Sequence, residues 1–144
     1  MSSIAEKFKM AAILQHKVAG NVTTEVDYLP TKGIEVISIV CPVVVGHGTI
    51  VTLTLATADD AAGTNTTALT EDVAVYLNNV RTTDAKAGSV PATYFALSLL
   101  NNFIVFEVPA HLVPEGKYLG IAANAGNATN YYSAIAIEDT YYKG

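Results

Sequence analysis

The sequence predicts an all-β, single-domain antiparallel fold, and three observations carry that expectation. Thr49–Asp60 (T-I-V-T-L-T-L-A-T-A-D-D) alternates Val51, Leu53 and Leu55 with Thr52 and Thr54, the period-two pattern of a strand with one apolar and one hydroxyl-bearing face. About eight short runs of this kind follow one another, separated by Gly, Pro, Asn and Asp, the spacing of a β-sandwich or barrel. The 144 residues suit one domain able to bury ~68–70% of its unfolded surface, and no repeat or linker divides them.

Residues 1–20 read as an N-terminal arm ahead of a β domain over 21–144. Ser3 and Glu6 match a capping box and Ile4, Phe8, Ala11 and Ala12 recur at helical spacing, yet Phe8, Met10, Ala12 and Leu14 also alternate. The arm is expected to hold a short helical turn and then a strand near Ile13–Val18. Val22–Leu29 alternates loosely after the turn Ala19-Gly20-Asn21. Pro30–Gly33 turns into Ile34–Val45, whose nearly continuous apolar character fits a strand covered on both sides. Pro42 has no N–H for a ladder, so an edge or a bulge is expected there. Gly46-His47-Gly48 then predicts a hairpin joining Ile34–Val45 to Thr49–Ala58, the latter a central strand.

Asp59–Thr67 is a polar loop. Thr70–Val80 admits helix or strand; Val73, Val75 and Leu77 favour a short strand. Arg81–Ala92 is expected to be an exposed loop. Tyr94–Leu100 and Phe103–Val108 flank Asn101-Asn102, a two-residue hairpin signal because Asn tolerates positive φ. His111–Lys117 is a turn, Tyr118–Ala123 a strand, Asn124–Asn130 a loop and Tyr131–Ile137 the last strand, with an exposed tail from Thr140.

Charged residues make up 15% of the chain and hydrophobic ones 51%. Either the surface is rich in Thr, Asn, Tyr and Ala, or other subunits cover part of it. The net charge of −5 disfavours nucleic acid as a partner, although Lys7, Lys9 and Lys17 face only Glu6 in the first twenty residues. No apolar run approaches the ~18 residues of a membrane helix, and Met1–Ile4 lacks a leader pattern, so a cytoplasmic origin is the default expectation. Cys41 stands alone, excluding an intrachain disulfide, and its apolar setting marks a small buried hydrophobe.

Residue patterns that carry chemistry are scarce. His16, His47 and His111 lie at no metal-ligand spacing. Asp59, Asp60 and Asn65 could belong to a Ca²⁺ loop but lack its alternating ligands. Gly46-His47-Gly48 is not a phosphate loop, and there is no G-x-S-x-G elbow. No enzyme activity, cofactor or metal is therefore expected. Asn21, Asn65 and Asn127 begin N-x-Thr sequences, which place those segments at the surface. The eight tyrosines, with pairs at Tyr131-Tyr132 and Tyr141-Tyr142, are the most function-like feature, since tyrosine is enriched at interfaces.

Ile34–Asp60 and Tyr94–Ile137 together resemble the small jelly-roll capsid cement (decoration) proteins of tailed bacteriophages. Three features carry the resemblance: an apolar strand followed by a Thr/Val/Leu strand ending T-A-D-D; an apolar hairpin leading into V-P-A-H-L-V-P-E-G-K-Y-L-G-I; and a Gly/Asn loop before S-A-I-A-I. Two departures stand out. Only Lys117 supplies the basic character frequent after the P-x-G turn, and neither Thr70–Ala92 nor the arm has a clear counterpart. The resemblance implies a jelly-roll-like sandwich and a non-enzymatic virion protein, made in the host cytoplasm and placed on the capsid exterior. Its implied partners are the major capsid protein and itself, as a homodimer or homotrimer, with no nucleic acid and no membrane. The residues expected to touch partners are Lys7, Phe8, Lys9, Met10 and Lys17 of the arm and Tyr131, Tyr132, Tyr141 and Tyr142.

Two other functions compete. A carbohydrate- or receptor-binding module would use paired tyrosines as sugar platforms, but the chain has no tryptophan. The second is another phage structural subunit, of a tail tube or a head–tail connector.

Overall fold

Leu53 and Leu55 are buried while Thr52 and Thr54 are half-exposed, as the alternation requires. The computed structural model describes residues 9–18, 27–44, 51–77, 89–91, 94–97, 103–124 and 131–140. The strands are β1 (Lys9–Val18), β2 (Leu29–Pro30), β3 (Ile34–Val44), β4 (Val51–Ala58), β5 (Thr67–Ala68), β6 (Ala74–Leu77), β7 (Ser89–Pro91), β8 (Tyr94–Leu97), β9 (Phe103–Pro109), β10 (Tyr118–Asn124) and β11 (Tyr131–Thr140). Among the described residues the only helical element is a 3-10 turn at Ala110–Leu112.

The fold is all-β, with two antiparallel sheets. One has six strands in the order β1-β11-β3-β9-β6-β7; the other runs β2-β10-β4-β5, with β8 also on β4. β4 is indeed central: β10 pairs along one edge, while β8 (from Val51 to Thr54) and β5 (at Ala56 and Thr57) share the other.

The pairings nest. β4 pairs with β8, β3 with β9, β2 with β10 and β1 with β11. In sequence, β5, β6 and β7 fall between β4 and β8, the innermost of these pairs. Pairing of β11 with β3 and of β10 with β4 joins these pairs into the two sheets.

This arrangement corrects several expectations. The hairpin of Ile34–Val45 with Thr49–Ala58 does not form, because β3 and β4 lie in different sheets. Tyr94–Leu100 and Phe103–Val108 are likewise separated, β8 joining β4 and β9 joining β3. Turn residues report that the chain reverses; they do not report whether it returns to the same sheet or crosses to the facing one. Pro42 sits in an interior strand, opposite Phe103 of β9. On the β11 side the paired residues run to Val40 and resume at Val43, so the missing donor falls in a gap of that ladder. The segment Arg81–Ala92, expected to be all loop, contains β7, an edge strand whose Pro91 suits an edge. The expected arm contributes a sheet edge from Lys9 onward; the helical turn expected before it lies outside the described residues, as do Gly46–Gly48 and Asn101-Asn102.

One hydrophobic cluster draws on both sheets. Ile37, Ile39, Cys41 and Val43 of β3, Ile104, Phe106 and Val108 of β9, and Ala134 and Ala136 of β11 share it with Leu53 and Leu55 of β4 and Leu119 and Ile121 of β10. Each large aliphatic or aromatic side chain removed from water here contributes about 1.5–3 kcal/mol. Thr57, also buried, donates its hydroxyl to the Thr67 carbonyl at 3.4 Å.

A second, smaller cluster lies on the other face of the five-stranded sheet. Tyr28, 5% exposed, packs with Ala56 and Ala58, and burial pushes its phenol pKa up. Its ring fills the space that side chains at Gly120 and Gly63 would need. A Cβ on Gly120 would meet the ring at 2.5 Å, and one on Gly63 at 2.8 Å. Gly63 also holds φ +83°, which side-chain-bearing residues rarely adopt. The backbone N–H of Tyr28 donates to Ala61 O at 3.0 Å, which holds the 59–64 loop over the ring.

Gly120→Ala is therefore expected to destabilise the fold by about 1–3 kcal/mol through overpacking, read from urea unfolding midpoints. In a Tyr28→Ala background the same substitution should cost markedly less, because the obstructing ring is gone.

Candidate interaction surface

The β1–β11 pairing decides where the sequence-predicted contact residues lie. Lys17 stands opposite Tyr132 and Val18 opposite Tyr131, while Lys9 stands opposite Glu138 and Met10 opposite Ile137. The backbone thus brings Lys17, Tyr131 and Tyr132 together at one end of the strand pair and Lys9 and Met10 at the other. A strand rises about 3.4 Å per residue, so the two groups are roughly 27 Å apart. They are two ends of an edge, not one patch. Lys7, Phe8, Tyr141 and Tyr142 lie outside the described residues.

β1 is the terminal strand of its sheet, and its register slips between Ala12 and Leu14 and again between Leu14 and Lys17. Irregularities and lysines are common ways of blunting an edge against unwanted strand pairing.

At the end of the fold where β2 and β4 stop and β10 starts, polar side chains gather. Asp59 forms an ion pair with Lys117 and accepts from Asn65 Nδ2 at 2.9 Å. Asp60 accepts from the Thr64 backbone N–H at 3.0 Å and from its hydroxyl at 2.6 Å. Asp59 N–H donates back to Thr64 O at 2.8 Å. Asn65 takes the left-handed φ of 51° that asparagine tolerates. The two carboxylates and Asn65 are thus occupied by the loop's own donors and a lysine. Among the described residues no group of three or more His, Cys, Asp or Glu is placed to hold a metal.

Beside this loop is a cleft of about 440 Å³ lined by Pro30, Thr31, Lys32, Glu115, Gly116, Lys117 and Tyr118. Two short turns frame it, closed by Ile34 N–H to Thr31 O at 3.1 Å and Lys117 N–H to Pro114 O at 3.0 Å. Tyr118 opposes Pro30 across the β2–β10 pairing. Nothing in the sequence marked this cleft, because its walls come from segments far apart in the chain. β10 leaves the cleft at Tyr118 and ends at Asn124, and only 125–130 separate that end from Tyr131.

Cys41 is buried on the inner face of β3, and burial pushes its thiol pKa far up, the state of an unreactive thiol. His111 is exposed on the 3-10 turn. His16 falls on β1, and His47 lies outside the described residues. Glu138, 1% exposed on the inner row that follows Ala134 and Ala136, was not singled out by sequence reasoning. The signal available was its parity with those alanines in S-A-I-A-I-E. No described helix is long and apolar enough to cross a membrane. Set against models of known families, curated proteins and solved structures, the chain gives no match.

The Asp59 and Asp60 carboxyls are both held below the ordinary carboxylate range, Asp59 chiefly by the Lys117 hydrogen bond and Asp60 chiefly by that of the Thr64 hydroxyl. Both ionise more readily folded than unfolded. Their contribution to stability is therefore full above the unfolded carboxylate value, near pH 4, and is lost as the pH falls through the lower folded values. Asp59→Asn should lower the urea midpoint at pH 7 slightly and flatten its fall toward pH 2.5. Millimolar Ca²⁺ should leave the melting temperature of the unaltered protein unchanged.

Proposed function

We propose that the protein is a structural virion component that binds the outer surface of a phage head and stabilises the shell by bridging neighbouring capsomers. The observation that carries this reading is the nested strand pairing. Leaving out β5, β6 and β7, the chain has eight strands, and its sheets run β1-β11-β3-β9 and β2-β10-β4-β8. This is the order expected of a jelly-roll β-sandwich, a double-sheet architecture that recurs in viral capsid domains and in lectins. It agrees with the resemblance to phage capsid cement proteins carried by T-A-D-D, the V-P-A-H-L-V-P-E-G-K-Y-L-G-I stretch and S-A-I-A-I.

Fold alone does not assign function, so the reading also rests on the residues. An aliphatic, weakly charged sheet face and a tyrosine pair beside Lys17 suit adhesion between proteins better than turnover of a small molecule. A cement protein needs only modest affinity per contact, because repetition over a symmetric shell multiplies weak contacts into avidity. In this role the protein is not an enzyme and needs no cofactor.

Purified protein mixed with undecorated, expanded heads should bind saturably and at a fixed ratio to the major capsid protein, measured by co-sedimentation. Removing residues 1–8, which leaves β1 whole, should weaken head binding at least tenfold while the far-ultraviolet circular dichroism stays β-type. Absence of saturable binding by the unaltered protein would overturn the proposal; unchanged binding after the deletion would remove the arm from it.

A further inference from the structure

The outer faces of the two sheets differ in kind. On the five-stranded sheet Tyr28 and the 59–64 loop cover Ala56, Ala58 and Gly120, and the remaining outward positions include Thr52, Thr54 and Ala122. On the six-stranded sheet, Ile135 of β11 stands opposite Val40 of β3, Val40 opposite Val105 of β9, and Val105 opposite Tyr76 of β6. Directly opposed residues share a face, so these four form a straight apolar row across four strands. Ile135 is 40% exposed, the one large exposed hydrophobe among the described residues; Val40, Val105 and Tyr76 are half-exposed.

We propose that this row is the centre of a two-fold interface, with the outer face of the six-stranded sheet packed against the same face of a second copy of the chain. Charge placement favours a second copy. Among the described residues the charged side chains nearest the row, Glu107 in the next row and Asp139 in the one after, are both acidic and lie on the same side of it, while Pro42 and Ser133 flank the other side. A two-fold axis along the row lays Ile135, Val40 and Val105 on their counterparts. It also reverses the strand direction, which carries the flank of Glu107 and Asp139 over the partner's flank of Pro42 and Ser133, so these acidic groups do not meet their counterparts.

The area is also adequate. About seven residues of strand by five strands, at ~3.4 Å and ~4.8 Å spacing, give a face of roughly 24 Å by 24 Å, or about 570 Å² before side-chain relief. Over both partners that is about 1,100 Å², above the roughly 1,000 Å² that a specific interface needs and below the ~1,600 Å² of a standard one. Aligned packing of two such faces is a common way for sheets to associate. The inference names the self-partner of the proposed virion protein but does not depend on heads, because it concerns the free protein.

Light scattering behind size exclusion, or sedimentation equilibrium, tests it at ~10–100 µM. The expected mass is twice the 15.1 kDa of the chain. Val40→Glu and Ile135→Glu would each place an unpaired carboxylate at the interface centre and should weaken association at least ~100-fold, whereas Thr52→Glu on the other sheet should leave the dimer intact. Ile135→Thr with Val105→Thr keeps residues that suit strands and should weaken the dimer while thermal unfolding stays cooperative, which covers the case in which the glutamates prevent folding. A monomer at every concentration, a trimer, or a dimer indifferent to these substitutions would overturn the proposal. So would a monomer whose head binding is lost with Val40→Glu, since that would assign the face to the capsid.

Discussion

Leu55 and Ile121 of one sheet and Ile104 and Phe106 of the other have no exposed surface, and the layer they make is the contact on which the rest depends. An antiparallel sheet with one apolar face is stable only when that face is covered. Here each sheet covers the other. The requirement explains why successive strands from β1 to β4 change sheets, and why the nested pairings are stable although the partners of β1 and β11 are far apart in sequence. Once the two inner faces are committed, the outer faces are free to differ.

On the five-stranded sheet the outer face is closed locally. Tyr28 lies between Gly120 of the sheet and Gly63 of the loop, and that loop then ties itself down through Asp59, Asp60, Thr64, Asn65 and Lys117. The acidic pair that would serve as a cation loop in another setting serves here as internal wiring. On the six-stranded sheet the corresponding face carries an aliphatic row bounded by acids on one side, and its edge strand β1 carries lysines and register slips. The proposed chain association through that face and the proposed adhesion to a shell through the edge are compatible, because they would use different parts of the surface.

Much of the strand content could be read from the sequence. The alternation in Thr49–Ala58 identified β4, its buried leucines and its outward threonines, and β9, β10 and β11 stood out for the same reason. The lost hairpins failed on one point: Gly46–Gly48 and Asn101-Asn102 are turn signals with no information about the destination sheet. The inner position of Glu138 and the interior position of Pro42 went against residue preference, because sheet context overrides it. Of the expected contact residues, the antiparallel register sets Lys17 opposite Tyr132 and draws Lys9 and Met10 to the far end of the same strand pair.

By itself, then, the sequence determined most of the longer strands and which side of each is apolar, since both follow from a two-residue period and local turn chemistry, but not the short strands β5 and β7. Partner choice was decided only by the tertiary structure. The slot for Tyr28, the cleft between Pro30 and Tyr118, and the row from Ile135 to Tyr76 each join residues from different strands. No local pattern encodes them, because strand order follows from burying two apolar faces at once, a condition met by the whole chain rather than by any one stretch of it.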